Sequence, residues 1–290
     1  MMANRTDPKD RQSATPSGSR RPGKRNISEK ENEDVDQMSS PRTPVIYEIV
    51  RRLGDEEMER PITSLWWSGV AAGLSISFSL LAQAILKTHL PDVPWRSLVS
   101  SFGYSAGFLM AVLSRQQLFT ESTITAVLPV MDDLSVTNCW RISRTWGIVL
   151  AANMVGTFLA AAFCTYTPVL TPELKTGMLD VAGHIMNHRW LETFFRAIAA
   201  GFLMATMVWL IPSAGPTQFH VIIFITFLIS AGEFMHIVAG SVEAFLLVLN
   251  GHLAFWPMVT GFFIPVLIGN IVGGTVLFAM IAYAQVMNEI

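Results

Sequence analysis

Six apolar blocks follow Pro61, running approximately Trp66–Leu86, Leu98–Val130, Trp146–Thr165, Leu191–Pro212, Phe219–Leu249 and Ala254–Ala284. A helix needs about 20 such residues to cross a bilayer, and every block reaches that length. The sequence therefore predicts an all-α membrane protein with six spans. Composition agrees: 51% of the 290 residues are apolar and 14% are charged, where soluble domains carry nearer a quarter. The charge is also segregated. Twelve of the 20 Lys and Arg residues and 12 of the 22 acids precede Pro61, so the rest is more apolar than the mean hydropathy of +0.42 implies.

Three regions are expected. Residues 1–43 are polar, charged and rich in Ser and Pro; they cannot bury enough apolar surface to offset the entropy of ordering, so a disordered tail is predicted. Over residues 44–60, Ile46, Ile49, Val50 and Leu53 recur at helical spacing against Arg51, Arg52 and Glu56–Glu57. That pattern predicts an amphipathic helix lying in the membrane interface, with a solvated linker helix as the alternative. Residues 61–290 form the pore-like domain. The first thirty residues lack an apolar core, so no cleavable signal peptide is expected. Cys139 and Cys164 make neither a disulfide framework nor a zinc motif. Basic residues fix the orientation. The tail and first helix hold 12, and Arg141 and Arg144 add two, against Lys87, Arg96, Lys175 and Arg189 on the other side. Both termini are thus predicted on the cytoplasmic face, in a plasma membrane of bacterial inner-membrane type.

The second and fifth blocks are long and carry polar residues at their centres. Arg115-Gln116-Gln117 through Glu121-Ser122 interrupt one, and Gly232-Glu233 through Gly240-Ser241 the other. Interrupted helices persist in a bilayer where they face a protected cavity. The chain also repeats. Trp67–Gly73 matches Phe195–Gly201, Gln117–Thr120 matches Glu233–His236, and Asn153–Gly156 matches Asn270–Gly273, at separations of 128, 116 and 117 residues. Each half holds an odd number of spans, so the halves must be inverted: a 3+3 repeat with helices two and five broken. Inverted repeats with matching breaks point to a transport site near the midplane.

In this register Thr120 and His236 are equivalent, a hydroxyl and a titratable imidazole at the two breaks. Other ionisable groups within the blocks are Arg115, Glu121, Glu192, Arg196, Glu233 and Glu243. Such groups are costly in lipid and must pair or face a polar cavity. Glu192 and Arg196 stand four apart, the spacing of an internal ion pair. Glu233-x-x-His236 has the spacing of carboxylate-bridged metal sites, but its counterpart Gln117-x-x-Thr120 does not supply ligands. His184 and His188 are expected to be surface histidines. No cofactor and no nucleic-acid partner is indicated, and no nucleotide loop or nucleophile motif suggests an enzyme.

Three motifs together resemble the formate/nitrite transporter family. They are Gln117-Leu-Phe-Thr-Glu-Ser122, Phe234-x-His236-x-Val-Ala239 and Leu267-Ile-Gly-Asn-Ile-Val-Gly-Gly274, and the likeness covers roughly Val45 to the C-terminus. The resemblance implies an aquaporin-like bundle assembled as a homo-pentamer in the bilayer, with one pore per protomer for a small anionic solute such as formate or nitrite. Family positions carried over are the central histidine at His236, the threonine at Thr120 and the sixth-helix asparagine at Asn270. Leu118 and Phe119 fall at an outer apolar constriction. Departures concern selectivity: the family's anion-attracting lysine falls near Ile185, and Asn positions fall at Gly201 and Gly240. Arg115 and Arg196 are additional, and at least one is expected to stand in for the lysine.

Overall fold

The computed structural model describes Ser28 and residues 41–289. The expectation of a disordered tail over residues 1–43 falls almost entirely outside those described residues. The unit that begins at Pro41 is helical.

Helix α1 (Thr43–Glu59) carries Pro44 in its first turn, where a missing N–H leaves no bond unmade. Its buried face is Tyr47, Val50, Gly54, Glu57 and Met58. This face packs on α5 (Phe119–Thr125) and α6 (Val127–Asp132). The approach is close because position 54 is glycine: a Cβ there would stand 1.8 Å from the Thr125 carbonyl oxygen. Tyr47 Oη donates to Asp132 Oδ1 at 2.8 Å and Arg144 Nη2 to the Met58 carbonyl at 2.7 Å. The amphipathic stripe is thereby divided. Val50 is buried against protein, while Val45, Ile49 and Leu53 remain on the outside.

Four helical runs among the described residues are long and apolar enough to cross a membrane: α2 (Ile62–His89), α7 (Val136–Tyr166), Trp190–Ala231 and Phe255–Val286. Local chemistry sets their ends. Ser135 caps α7 by accepting from the Asn138 N–H, and α2 stops just before Pro91. The run Trp190–Ala231 folds at Gly215, whose φ of +47° favours glycine, into α9 (Trp190–Ala214) and α10 (Gln218–Ala231). The final run joins α12 (Phe255–Met258), α13 (Ile264–Ile271) and α14 (Met280–Val286) through π-helical stretches Val259–Phe263 and Val272–Ala279.

The remaining apolar blocks are subdivided. Block two comprises α3 (Arg96–Ser100), a 3-10 turn (Ser101–Tyr104), α4 (Ser105–Leu113), α5 and α6. Block five comprises α10 and α11 (Ile237–Leu249). Helix α8 (Pro172–Ala182), capped by Thr171, lies in the connection ahead of α9. Two helix pairs frame the centre, α2 with α7 and α9 with α13. Each depends on a glycine facing an asparagine carbonyl. A Cβ would come within 2.4 Å of Asn153 O at Gly73, and within 2.3 Å of Asn270 O at Gly201. In lipid, contact of this kind replaces the hydrophobic drive that water would supply.

Candidate functional site

The site is built where α4 gives way to α5 and where α10 gives way to α11. Helix α4 ends in a Schellman motif: the Gln116 N–H reaches Ala111 O (2.9 Å) and the Arg115 N–H reaches Val112 O (3.0 Å). Helix α10 ends in the same way, with Phe234 to Ile229 O (2.9 Å) and Glu233 to Ser230 O (3.0 Å). The left-handed position is not glycine in either case; Arg115 and Glu233 both hold φ at 53°. For a non-glycine residue that costs roughly 1 kcal/mol. After each motif the chain extends and enters the next helix through Leu118 (φ −110°, ψ 123°) and His236 (φ −108°, ψ 128°).

These matching features are 118 residues apart, which corrects the register read from sequence. Leu118 corresponds to His236, so Thr120 and His236 are not equivalent positions. They are partners. Thr120 Oγ1 lies 2.8 Å from His236 Nε2, and both residues are buried. His236 Nδ1 accepts the Ala239 N–H at 3.2 Å as the N-cap of α11. With Nδ1 acting as acceptor, the neutral ring carries its hydrogen on Nε2 and donates it to Thr120. The Thr120 hydroxyl hydrogen is then left to donate elsewhere. Phe108 of α4 fixes the ring from the side, edge-on with centroids 5.1 Å apart.

An asparagine holds each extended segment. Asn153 Oδ1 accepts from the Phe119 N–H (2.9 Å), and its Nδ2 donates to Gly69 O (2.8 Å) and Gln117 O (2.9 Å). Asn270 Oδ1 accepts from Ile237 N–H (2.8 Å), and its Nδ2 donates to Ala197 O (2.8 Å) and Met235 O (2.9 Å). Backbone groups freed by the breaks are thus satisfied inside the protein, as an apolar surrounding requires. Asn270 spends its amide on backbone and is fully buried. Phe119 packs edge-on against Trp146 at 5.8 Å.

Two cavities open near the breaks. The larger, about 500 Å³, is lined by Leu118, Glu57, Arg60, Arg115, Gln116 and Glu121, together with residues around Pro212 of α9. The smaller, about 110 Å³, is lined by His236, Tyr104, Gln83, Glu243, Ile185 and His188, among others. Neither includes Phe119 or Asn270. The cavities stand toward opposite ends of α9, whose 25 residues extend about 37 Å.

Arg115 and Glu233 stand at the two breaks, at the ends of α4 and α10. Both are exposed, because the tight motif turns their side chains outward from the helix ends. Arg115 lines the large cavity without a hydrogen-bond or ion-pair partner among the described residues. Glu233 joins Arg196 (3.5 Å) in a network with Glu192, which Arg196 meets at 3.1 Å. The pairing expected for Glu192 and Arg196 is present. Arg196 Nη1 also donates to the carbonyls of Gly232 and Glu233 at 3.4 Å, meeting the negative end of α10. His188 Nδ1 sits 2.8 Å from Glu192 Oε1. Among the described residues no group of three or more His, Cys, Asp or Glu is placed to hold a metal ion.

Glu57 was read as part of the outer polar face of α1, and it is buried. Ser122 Oγ donates to its Oε1 and Thr125 Oγ1 to its Oε2 (2.6 Å). With its amide turned to suit both neighbours, Gln117 donates to Glu57 (2.9 Å) and accepts from Arg60 (3.0 Å). Burial pushes the Glu57 carboxyl above the usual range, and these donors and Arg60 only partly oppose it.

A family model described as Formate/nitrite transporter matches residues 44–284. The chain belongs to that family. Inner membrane protein YfdC of Escherichia coli (strain K12) is 43% identical over 256 residues, spanning 88% of this chain and 82% of that protein. Formate channel FocA of Haemophilus influenzae is 28% identical over 245 residues, spanning 75% of this chain and 84% of that one. A solved structure titled "Pentameric formate channel with formate bound" superposes with a TM-score of 0.68 at 20% identity, covering 78% of this chain and 98% of that one. The fold is therefore that of the formate/nitrite transporters, and the chain is a multi-pass membrane protein. Within this family member, the asparagines and Schellman ends account for the repeated motifs. The sequence reading names Asn270 as a pore residue; its hold on the backbone, the matching role of Asn153 and the Schellman ends come from the structure, with the recurrence of Asn153 at Asn270 as the available signal.

Proposed function

We propose that this formate/nitrite transporter is a pore for a small monovalent anion of a weak acid, formate or nitrite in kind, passive or proton-coupled. The chain crosses the membrane six times as an inverted 3+3 repeat, aquaporin-like, with helices two and five broken and both termini in the cytoplasm. The inner-membrane name of the 43% identical relative supports the same location here. The observation that carries the reading is the Thr120–His236 hydrogen bond, 2.8 Å long, between the two cavities. Leu118 faces one cavity and His236 the other, so the solute's route runs past Leu118, Thr120 and His236. A bare charge loses several kcal/mol of solvation in such a passage. A hydroxyl hydrogen held in place by the neutral imidazole, at the positive end of α11, offsets part of that loss. Arg115 is the cation that draws the anion into the large cavity.

The test is flux into liposomes holding the purified protein, across formate, nitrite, acetate, lactate, hydrosulfide and glycerol. Formate and nitrite should enter well above protein-free vesicles and glycerol should not. His236→Ala should remove the pH dependence of flux while leaving assembly intact. If none of the anions enters faster than in protein-free vesicles, the reading fails.

A further inference from the structure

We propose that the pore takes its anion asymmetrically: the large-cavity mouth holds the anion more tightly, and Glu233 keeps the small-cavity mouth weak by occupying the cation there, Arg196. The inference rests on the anion pore described above. The two breaks share one backbone geometry, a Schellman end whose left-handed residue lines a cavity. That residue is Arg115 at the large cavity and Glu233 at the small one, each with φ at 53°. One position of the fold thus presents a guanidinium at one mouth and a carboxylate at the other. Both side chains are exposed, whereas Leu118 and His236 behind them are buried.

Among the described residues Arg115 has no ion pair, although Glu56, Glu57 and Glu121 also line its cavity. The Glu57 oxygens are engaged by Ser122, Thr125 and Gln117. The Arg115 guanidinium is therefore free to pair with a small planar oxyanion. No Lys or Arg lines the small cavity. The cation beside its mouth, Arg196, meets Glu192 at 3.1 Å and Glu233 at 3.5 Å. These two contacts differ in strength. Glu192 is also held by His188 Nδ1 at 2.8 Å, whereas Glu233 makes the longer contact and its side chain is 62% exposed. The Glu233 carboxylate has the chemistry of the solute, tethered to the chain, and an entering anion must displace it from Arg196 or pass it unpaired. At equal pH and without a potential, the ratio of maximal rate to half-saturating concentration must be the same from both faces. The large-cavity face therefore combines the lower half-saturating concentration with the lower maximal rate.

The experiment measures labelled formate uptake against concentration in right-side-out and everted membrane vesicles holding the full chain, with pH equal and the potential collapsed. One face should half-saturate at a concentration at least about threefold below the other. Arg115→Gln and Glu233→Gln should each bring the two values together, the first mainly by raising the lower value and the second by lowering the higher. Arg115→Gly and Glu233→Gly, which suit the left-handed φ, serve in place of the Gln variants should those not assemble. Equal values from the two faces of the parent, or uptake that saturates from neither face, overturn the inference. An asymmetry that survives both substitutions overturns it as well. Vesicles that take up neither formate nor nitrite faster than vesicles without the protein overturn the pore reading itself, and this inference with it.

Discussion

At the scale of single residues, the two arginines that sequence treated alike have different surroundings. Arg196 closes a network with Glu192 and Glu233 and caps α10, whereas Arg115 faces the large cavity without a partner among the described residues. Replacing Arg115 by Gln should lower anion flux about threefold to tenfold and leave thermal stability unchanged, because a surface cation acts mainly on local anion concentration. Replacing Arg196 by Gln should do the reverse. It leaves two carbonyls of the α10 end and Glu233 without their cation, at a cost of about 1–2 kcal/mol. Flux ratios and melting temperatures of the two variants check this division. Equal effects on both readouts would argue against it.

At the scale of elements, the breaks are held by Asn153 and Asn270, each meeting three backbone groups. Asn270→Ala strands the Ile237 N–H and the Met235 carbonyl in the interior and removes the side-chain bond to the Ala197 carbonyl. The expected loss is about 2–4 kcal/mol, read as a clear fall in melting temperature in detergent. Asn153→Ala should cost a similar amount. A melting temperature unmoved by both substitutions would mean that other groups hold the breaks. Helix α1 provides the second prediction at this scale. Burial raises the Glu57 carboxyl, so the docked state takes up the proton more readily than the undocked state. Docking is then fully supported at pH below the ordinary carboxylate value and weakens as pH rises through the raised one. Hydrogen exchange of α1 should accelerate as pH rises above the ordinary carboxylate range, and Glu57→Gln should flatten that dependence. Exchange in the parent that slows as pH rises, after correction for intrinsic rates, would contradict the sign.

At the scale of the whole molecule, the chain presents many large apolar side chains outward, among them Phe78, Phe163, Phe195, Phe224 and Trp256. Such surface suits lipid, or neighbouring protomers. A homo-pentamer is the assembly that the sequence resemblance leads us to expect. Native mass spectrometry in mild detergent should then find five chains of 32.0 kDa, about 160 kDa in all. A stable monomer or dimer across several detergents and lipids would remove the pentamer while leaving the pore within each chain.

The sequence by itself determined the solvent and the components. Apolar blocks of bilayer length demand helices in lipid, and the repeated glycines and asparagines mark the places where those helices approach and where they are interrupted. His236 was legible because a titratable group inside an apolar block is expensive enough to stand out, and Thr120 through the repeat and the family motif. What sequence could not supply was register and direction. Matching by residue type set Thr120 against His236, two positions away from the alignment that backbone geometry requires. The paired left-handed residues Arg115 and Glu233 reveal that alignment, and neither is a glycine that would announce it. Burial of Glu57 was likewise invisible, since its partners Ser122 and Thr125 lie more than sixty residues away in the chain. Local pattern decides which segments enter the membrane because transfer free energy adds up along the chain. Which polar groups then meet depends on contacts between distant segments, and tertiary packing alone determines those.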